Sequence, residues 1–221
     1  MQFTQSTVGR KMIMAVTGLC LVLFLIIHSV GNLGVFSGPD GINAYADFLH
    51  NLGAGVWIFR IALAAIFVIH IAYGIQLTME NMAARPDGYT YKQDSRATFA
   101  SKTMIYTGFI IFAFLVYHLL HFTIRVTNPE IYGLDAAGRF DVFTMMVEGF
   151  SSVVVSLVYL IAMIALILHL SHGVASIFQT VGLNNVKSLP IIEKVGKAVA
   201  ILLFLAFICI PVAILIGIVS L

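Results

Sequence analysis

Residues 9–33 read GRKMIMAVTGLCLVLFLIIHSVGNL, and this stretch decides the fold. Two cations, Arg10 and Lys11, precede an apolar run over residues 12–33. A helix needs about 20 mostly apolar residues to cross the hydrocarbon of a bilayer, so the run predicts a membrane-spanning helix. It is too long for the apolar part of an ordinary signal peptide and lacks a small-residue cleavage site. We therefore expect this first helix to be retained.

Four further apolar segments of similar length follow, at residues 56–79, 103–124, 148–178 and 198–221. The composition agrees, because 60% of the residues are hydrophobic and only 10% are charged. A soluble domain carries about a quarter of its residues as charged side chains. The sequence predicts an all-α integral membrane protein. We expect one transmembrane domain over residues 1–221, a bundle of five helices.

The basic residues orient this bundle, because Lys and Arg are enriched in cytoplasmic loops. Nine lie on the N-terminal side of the predicted membrane: Arg10, Lys11, Arg85, Lys92, Arg96, Lys102, Lys187, Lys194 and Lys197. Three lie on the other side: Arg60, Arg125 and Arg139. The asymmetry predicts a multi-pass protein of the bacterial cytoplasmic (inner) membrane with a cytoplasmic N-terminus. The basic residues form no dense run, so no nucleic acid partner is expected.

Six of the seven histidines lie in the predicted spans: His28, His70, His118, His121, His169 and His172. Ionisable groups are costly inside a membrane and mark an interior functional site. Because the chain direction alternates, His28 and His118 fall in the outer half, and His70 and His169 fall in the inner half. We call His28–His118 the outer pair and His70–His169 the inner pair.

Two histidine pairs on facing helices are typical of two haems, each with two imidazole ligands and suited to electron transfer. No CxxCH motif is present, so we expect non-covalent haem b. His121 and His172 each stand three residues after a pair member, and spacing alone leaves either histidine as the ligand. The other would hold a haem propionate or a quinone oxygen, or simply pack.

Three glycines stand about one turn after a histidine: Gly31, Gly74 and Gly173. A flat macrocycle could lie against the backbone there. Small residues also let membrane helices pack closely, and this explains any one of these glycines better, but three glycines beside three histidines favour the macrocycle.

Four segments carry a resemblance to a known family: 9–33, HIAYGIQLTMENMAARP (70–86), FLVYHLLHF (114–122) and HLSHGVASIFQTVGL (169–183). The chain resembles the membrane anchor of succinate:quinone oxidoreductases (succinate dehydrogenase/fumarate reductase), namely its single-chain, five-helix, di-haem cytochrome b subunit. The resemblance implies one haem ligand on each of the first four helices. It selects His118 over His121 and His169 over His172, and it pairs His28 with His118 and His70 with His169.

The resemblance also implies two partners, a flavoprotein that interconverts succinate and fumarate and an iron–sulfur protein on the cytoplasmic face. Electrons would pass from the iron–sulfur subunit through the inner and outer haems to a quinone, expected to be menaquinone, or in the reverse direction. The polar, basic segment 80–102 is then a docking surface for a cytoplasmic partner or for anionic membrane lipid. A plain solvated loop explains this segment equally well.

A quinone needs hydrogen-bond partners for its carbonyls. The predicted outer side offers Asn32, Tyr45, His50 and Arg60 beside the outer pair, and these are the quinone-site candidates. Helix capping and loop contacts are the competing explanation for each. Some related fumarate reductases carry a buried glutamate near the inner haem that helps protons cross. No Asp or Glu lies deep in a predicted span, so we expect no such proton route.

Three other classes compete with this interpretation. A secondary transporter is disfavoured, because five helices offer no even inverted repeat. Another transmembrane di-haem b-type reductase, quinone- or ascorbate-linked, shares the paired histidines. A membrane anchor without haem is the third.

Overall fold

The computed structural model describes residues 3–84, 98–127 and 133–221. Eight α-helices lie in these ranges: α1 (Thr7–Leu33), α2 (Gly38–Asn51), α3 (Ala54–Ala83), α4 (Phe99–Lys102), α5 (Met104–His118), α6 (Val142–Ser151), α7 (Val153–Thr180) and α8 (Ser188–Leu215). Five helical segments are long and apolar enough to cross a membrane, and they contain α1, α3, α5, α7 and α8. The predicted all-α bundle with five apolar helices of spanning length is therefore confirmed. We keep the name outer for the end that carries Leu33 and Ala54, and inner for the opposite end.

Two of the long helices extend beyond the apolar runs. Helix α1 begins at Thr7, because the Ser6 hydroxyl accepts a hydrogen bond from the Gly9 amide at 3.0 Å and caps the helix. Helix α8 begins at Ser188, ten residues before the predicted span, and includes Lys194 and Lys197. A prediction from hydropathy leaves such charged first turns out of the span, although they belong to the same helix. The last helix ends at Leu215 rather than at residue 221.

The predicted span 148–178 is wrong at its start. The chain breaks at Ser152, where φ is −74° and ψ is 116°, and this separates α6 from α7. The Ser152 hydroxyl accepts from the Val155 amide at 3.5 Å, so the serine ends one helix and caps the next. Helix α6 is apolar because it is buried against the outer end of the bundle, and Phe143, Met146 and Phe150 are each at most 7% exposed.

The predicted loop 33–55 contains α2, which packs against α6 at the outer end. Asn43 of α2 is fully buried and joins the two segments. Its amide nitrogen donates to Asp135 Oδ2 at 3.3 Å and to Asp141 Oδ1 at 3.1 Å. Its carbonyl oxygen accepts from the Phe143 amide at 2.9 Å. One buried side chain thus ties α2 to the connection that follows α5.

Arg139 completes this contact from the solvent side. Its guanidinium donates to Asp135 Oδ2 and to Asp40 Oδ1, each at 2.7 Å. The hydrogen bond from Arg139 holds the pKa of Asp135 at about 2, below its usual value. We call these five residues the outer latch: Asp40, Asn43, Asp135, Arg139 and Asp141.

Helix α7 lies at the centre of the bundle and contacts α1, α5 and α8. Its buried side chains join two hydrophobic clusters, one around Met163 and Leu166 and the other around Tyr159 at the outer end. Helix α3, in contrast, packs mainly against α1 and has no fully buried residue. The histidines of α1, α3, α5 and α7 lie between these elements.

Candidate functional site

The structure brings four histidine rings together in two pairs. The ring centroids of His28 and His118 lie 5.9 Å apart, with an angle of 89° between the ring planes. Those of His70 and His169 lie 6.4 Å apart, at 63°. All four side chains are half-buried. The partners on α1 and α5, and on α3 and α7, are those that the sequence grouped by depth.

The pairs lie at two levels of the bundle. Thr17 of α1 contacts His70, and His28 follows eleven residues later on the same helix. At 1.5 Å per residue this spacing separates the levels by about 16 Å along the helix axis. Thr107 of α5 contacts His169 and likewise precedes His118 by eleven residues.

Each inner histidine lies against a Thr–Gly pair. The Nδ1 atom of His70 is 3.1 Å from the Thr17 hydroxyl, and that of His169 is 3.2 Å from the Thr107 hydroxyl. A Cβ atom built on Gly18 would lie 3.3 Å from Cε1 of His70, and one on Gly108 would lie 3.7 Å from Cε1 of His169. A side chain at Gly18 would crowd the His70 ring, whereas one at Gly108 would only touch the His169 ring.

The outer pair has different and unequal surroundings. The Nδ1 atom of His118 is 3.1 Å from the Tyr159 hydroxyl of α7. The His28 ring stacks on Phe24 at 5.2 Å and lies 6.0 Å from Phe207. One outer histidine thus has a hydroxyl partner, whereas the other is held by aromatic contacts.

His121 and His172 take other positions. His121 is fully buried, stacks on Phe122 at 3.9 Å, and shares the Tyr159 hydroxyl with His118 at 3.2 Å. It lies in a wider π-helical turn, Leu119–Thr123, that continues α5. His172 is half-buried on α7. The rings that face His28 and His70 are those of His118 and His169.

The geometry of both pairs fits a haem iron. Two imidazoles that bind one metal from opposite sides, through bonds of about 2 Å, have ring centroids roughly 6 Å apart. The separations of 5.9 and 6.4 Å match this value. No cluster of three or more potential metal ligands forms within the described ranges, and each pair consists of two imidazoles, the number of protein ligands that a bis-histidine haem would need.

The three glycines proposed from the sequence have unequal surroundings. A Cβ on Gly31 would lie 2.6 Å from the ring of Tyr45, so a tyrosine covers that backbone. Gly74 faces the end of Met14 at 3.6 Å, and Gly173 has no atom within 4 Å of its Cβ position in the described structure. The chain places Tyr45 on Gly31 because α2 folds back beside the end of α1.

Gly18 and Gly108, which lie nearest the inner histidines, are not among the glycines predicted from the sequence. A repeated sequence motif nevertheless marks both. Residues 17–28 read TGLCLVLFLIIH, and residues 107–118 read TGFIIFAFLVYH. The same Thr–Gly pair stands at the same distance before both outer histidines.

The four quinone-site candidates do not form one cluster in the described contacts. Tyr45 lines a cleft of about 480 Å³ whose remaining walls are apolar: Ile26, Ile27, Val30, Gly31 and Gly34. Asn32 instead donates to the His28 carbonyl at 2.8 Å, within its own helix. The His50 ring packs on Phe140 at 5.1 Å, and Arg60 lies over Trp57 at 5.0 Å. Of the four candidates, Tyr45 alone lines this cleft.

Comparison with known proteins identifies no relative: no family model, curated protein or solved structure matches the chain. The function is therefore inferred from the residues, their geometry and the motif resemblance.

Proposed function

We propose that this chain is a di-haem cytochrome b, the membrane-anchor subunit of a succinate:quinone oxidoreductase (succinate dehydrogenase or fumarate reductase). It would pass electrons between a cytoplasmic iron–sulfur subunit and a membrane quinone, menaquinone in the first instance. The observation that carries the proposal is the two histidine pairs, with ring centroids 5.9 and 6.4 Å apart, at two levels of a bundle with five helices of spanning length.

His28 and His118 would hold one haem, and His70 and His169 the other. Haem held by two imidazoles supplies one-electron transfer without an open coordination position. The protein's own contribution is to hold each ring. Hydroxyl groups lie at the Nδ1 atoms of His70, His118 and His169, and this leaves the opposite nitrogen, Nε2, for the metal.

The cleft between α1 and Tyr45 is the favoured quinone site. It is an open groove of about 480 Å³, and its walls suit an apolar molecule. The Tyr45 hydroxyl supplies a hydrogen-bond donor for a quinone carbonyl. Tyr45→Phe should lower quinone reduction about tenfold at constant haem content, as expected for one hydrogen bond of about 1.4 kcal/mol. His50→Ala, outside the cleft, is the matched control, and equal effects of both variants would remove the cleft proposal.

Dicarboxylate chemistry would take place on the flavoprotein partner, with the iron–sulfur subunit docked at the inner end. The sequence predicts nine of the twelve basic residues on this side, which supports a cytoplasmic location. The Arg10–Glu80 ion pair, at 3.0 Å, joins α1 and α3 there. Residues 85–97, the centre of the segment proposed as a docking surface, lie outside the described residues.

A visible spectrum of the purified complex tests the proposal. We expect reduced b-type bands at two haems per chain and co-purification of a flavin-containing subunit. Alanine at any of His28, His70, His118 or His169 should remove one haem, whereas His121→Ala and His172→Ala should keep both. Absence of haem from the intact protein would reject the cytochrome. Two haems without a flavin-containing subunit would assign the chain to another di-haem reductase.

A further inference from the structure

We propose that Thr17 and Thr107 are positioning residues that fix the tautomer of His70 and His169, so that both inner histidines present Nε2 to the haem iron. This inference rests on the proposed function. It concerns the two Thr–Gly pairs of α1 and α5, which we call the inner sockets: Thr17–Gly18 and Thr107–Gly108.

The backbone beside Thr17 offers its hydroxyl proton an acceptor. The Thr17 hydroxyl lies 2.7 Å from the carbonyl of Ile13, one helical turn before it, and 3.2 Å from that of Met14. The hydroxyl proton can therefore be donated to the backbone. In the proposed arrangement the Thr17 oxygen accepts from Nδ1–H of His70, at 3.1 Å. A neutral imidazole protonated at Nδ1 has its free lone pair on Nε2.

The second socket repeats this arrangement. The Thr107 hydroxyl lies 3.1 Å from the Thr103 carbonyl and 3.0 Å from that of Met104, and it accepts from Nδ1–H of His169 at 3.2 Å. Thr17 and Thr107 are only 7% and 4% exposed. Water therefore competes little with either bond, and the low local dielectric strengthens both.

The glycine of each socket lies against the facing imidazole, closely at Gly18 and at ordinary contact distance at Gly108. Gly18 and Gly108 follow the threonines directly, and their Cβ positions would lie 3.3 and 3.7 Å from Cε1 of the facing imidazoles. Cε1 lies between the two ring nitrogens. A hydroxyl thus binds one edge of each ring while bare backbone supports the adjacent carbon. Ring rotation and tautomer are restrained together.

The outer pair lacks this arrangement, since His118 contacts a tyrosine and His28 stacks on Phe24. A hydrogen bond from the second imidazole nitrogen makes the ligand more basic and favours the oxidised metal. The two threonines should therefore lower the potential of the inner haem while leaving the outer haem unaffected.

The test uses the intact complex with Thr17→Val and Thr107→Val, which keep the shape of the side chain and remove the hydroxyl. Thr17→Ser and Thr107→Ser restore the hydroxyl. Thr78→Val is the matched control, because Thr78 makes the same bond to the carbonyl four residues earlier, at 2.8 Å to Gly74, and faces no histidine in the described structure. Haems are followed by redox titration and low-spin electron paramagnetic resonance. A His28→Ala background assigns the inner signal.

At a fixed ambient potential, each valine variant should raise the reduced-to-oxidised ratio of the inner haem about threefold, which equals about 28 mV at 59 mV per tenfold. The serine variants and Thr78→Val should match the wild type, as should the outer haem in every variant. Selective loss of the inner haem in the valine variants, with retention in the serine variants, would also support the inference. Unchanged inner-haem titrations in both valine variants would overturn it. A wild type without haem would instead reject the proposed function.

Discussion

The outer latch provides the sharpest test of the packing, through Asn43→Asp. The amide nitrogen of Asn43 donates to two carboxylates, Asp135 and Asp141, from a fully buried position. The substitution keeps the size of the side chain and the acceptor for the Phe143 amide. It replaces the shared donor with a third negative charge.

The size of the effect follows from the 3.1 Å contact with Asp141. At an effective dielectric constant of about 20, two like charges at this distance repel by about 5 kcal/mol. Protonation of the new carboxyl limits the penalty, because holding an aspartate neutral at pH 7 costs about 4 kcal/mol from an ordinary pKa of about 3.9. We expect Asn43→Asp to lower the opening free energy of the outer latch by about 3 to 4 kcal/mol at pH 7. At pH 5 protonation limits the loss to about 1.5 kcal/mol, so the stability of the variant should approach that of the wild type as the pH falls.

Hydrogen exchange measured by mass spectrometry gives the opening free energy of residues 38–51 and 133–150. It is measured at both pH values and corrected for intrinsic exchange rates. Asn51→Asp is the matched control on the same helix. Asn51 donates to Asp47 at 2.9 Å at an exposed site, where a like-charge pair one turn apart costs only about 0.5 kcal/mol. Equal losses in the two variants, or a penalty in Asn43→Asp that does not shrink at pH 5, would refute the reasoning.

Three further predictions concern the same outer end and the charge movement. Gly31→Ala should lower the melting temperature, because the new Cβ would lie 2.6 Å from the Tyr45 ring and overpacking costs about 1 to 3 kcal/mol. Gly55→Ala is the control and should be neutral or stabilising, because the nearest atom to its Cβ lies at 3.9 Å. Ionised Asp135 stabilises the outer latch above pH 3.8, and this stability is lost as the pH falls through its folded-state pKa of about 2. Pepsin should therefore cut residues 133–141 readily only below about pH 3. Under the proposed function, electrons that cross from the cytoplasmic side to an outer quinone site move toward the positive side of the physiological membrane potential, so an uncoupler should slow quinone reduction in energised membranes; identical rates would contradict this.

The spans and the histidine pairs were predictable because both follow from one-dimensional patterns. A continuous apolar run predicts a spanning helix whatever its neighbours, and alternation of chain direction converts a position in the run into a depth. The prediction of one span over residues 148–178 was wrong because hydropathy measures how apolar a segment is, and does not tell whether lipid or protein surrounds it. Helix α6 is buried by protein, and the Ser152 break between two apolar helices leaves only a weak signal in the sequence.

The outer end could not be derived from the sequence, because its contacts join distant parts of the chain. The Asn43 side chain bonds to residues 92 to 100 positions away, which no local pattern encodes. The quinone candidates failed to cluster for a related reason. Residues predicted to lie on one side of the membrane instead contact residues close to them in sequence. The Arg60 guanidinium lies over the Trp57 ring, and the Asn32 amide donates to the His28 carbonyl of its own helix.

Four of the five long helices also form two similar units, and this division explains where the two histidine pairs differ. Helix α1 packs on α3, and α5 packs on α7. In each unit the first helix carries a Thr–Gly pair and then an outer histidine, while the second carries an inner histidine followed four residues later by glycine.

Each histidine pair takes one ring from each unit, so the inner pair has matching threonine partners on both sides. The units depart from each other at the outer pair. Tyr159 stands ten residues before His169 and reaches His118, whereas the position ten residues before His70 is Arg60. The cleft lined by Tyr45 lies against α1, the helix that carries His28, and His28 has no tyrosine partner of this kind among the described contacts. Under the proposed function, the duplicated environment of the inner pair would give one haem two similar ligands, whereas the unequal surroundings of the outer pair would leave the α1 side for the quinone.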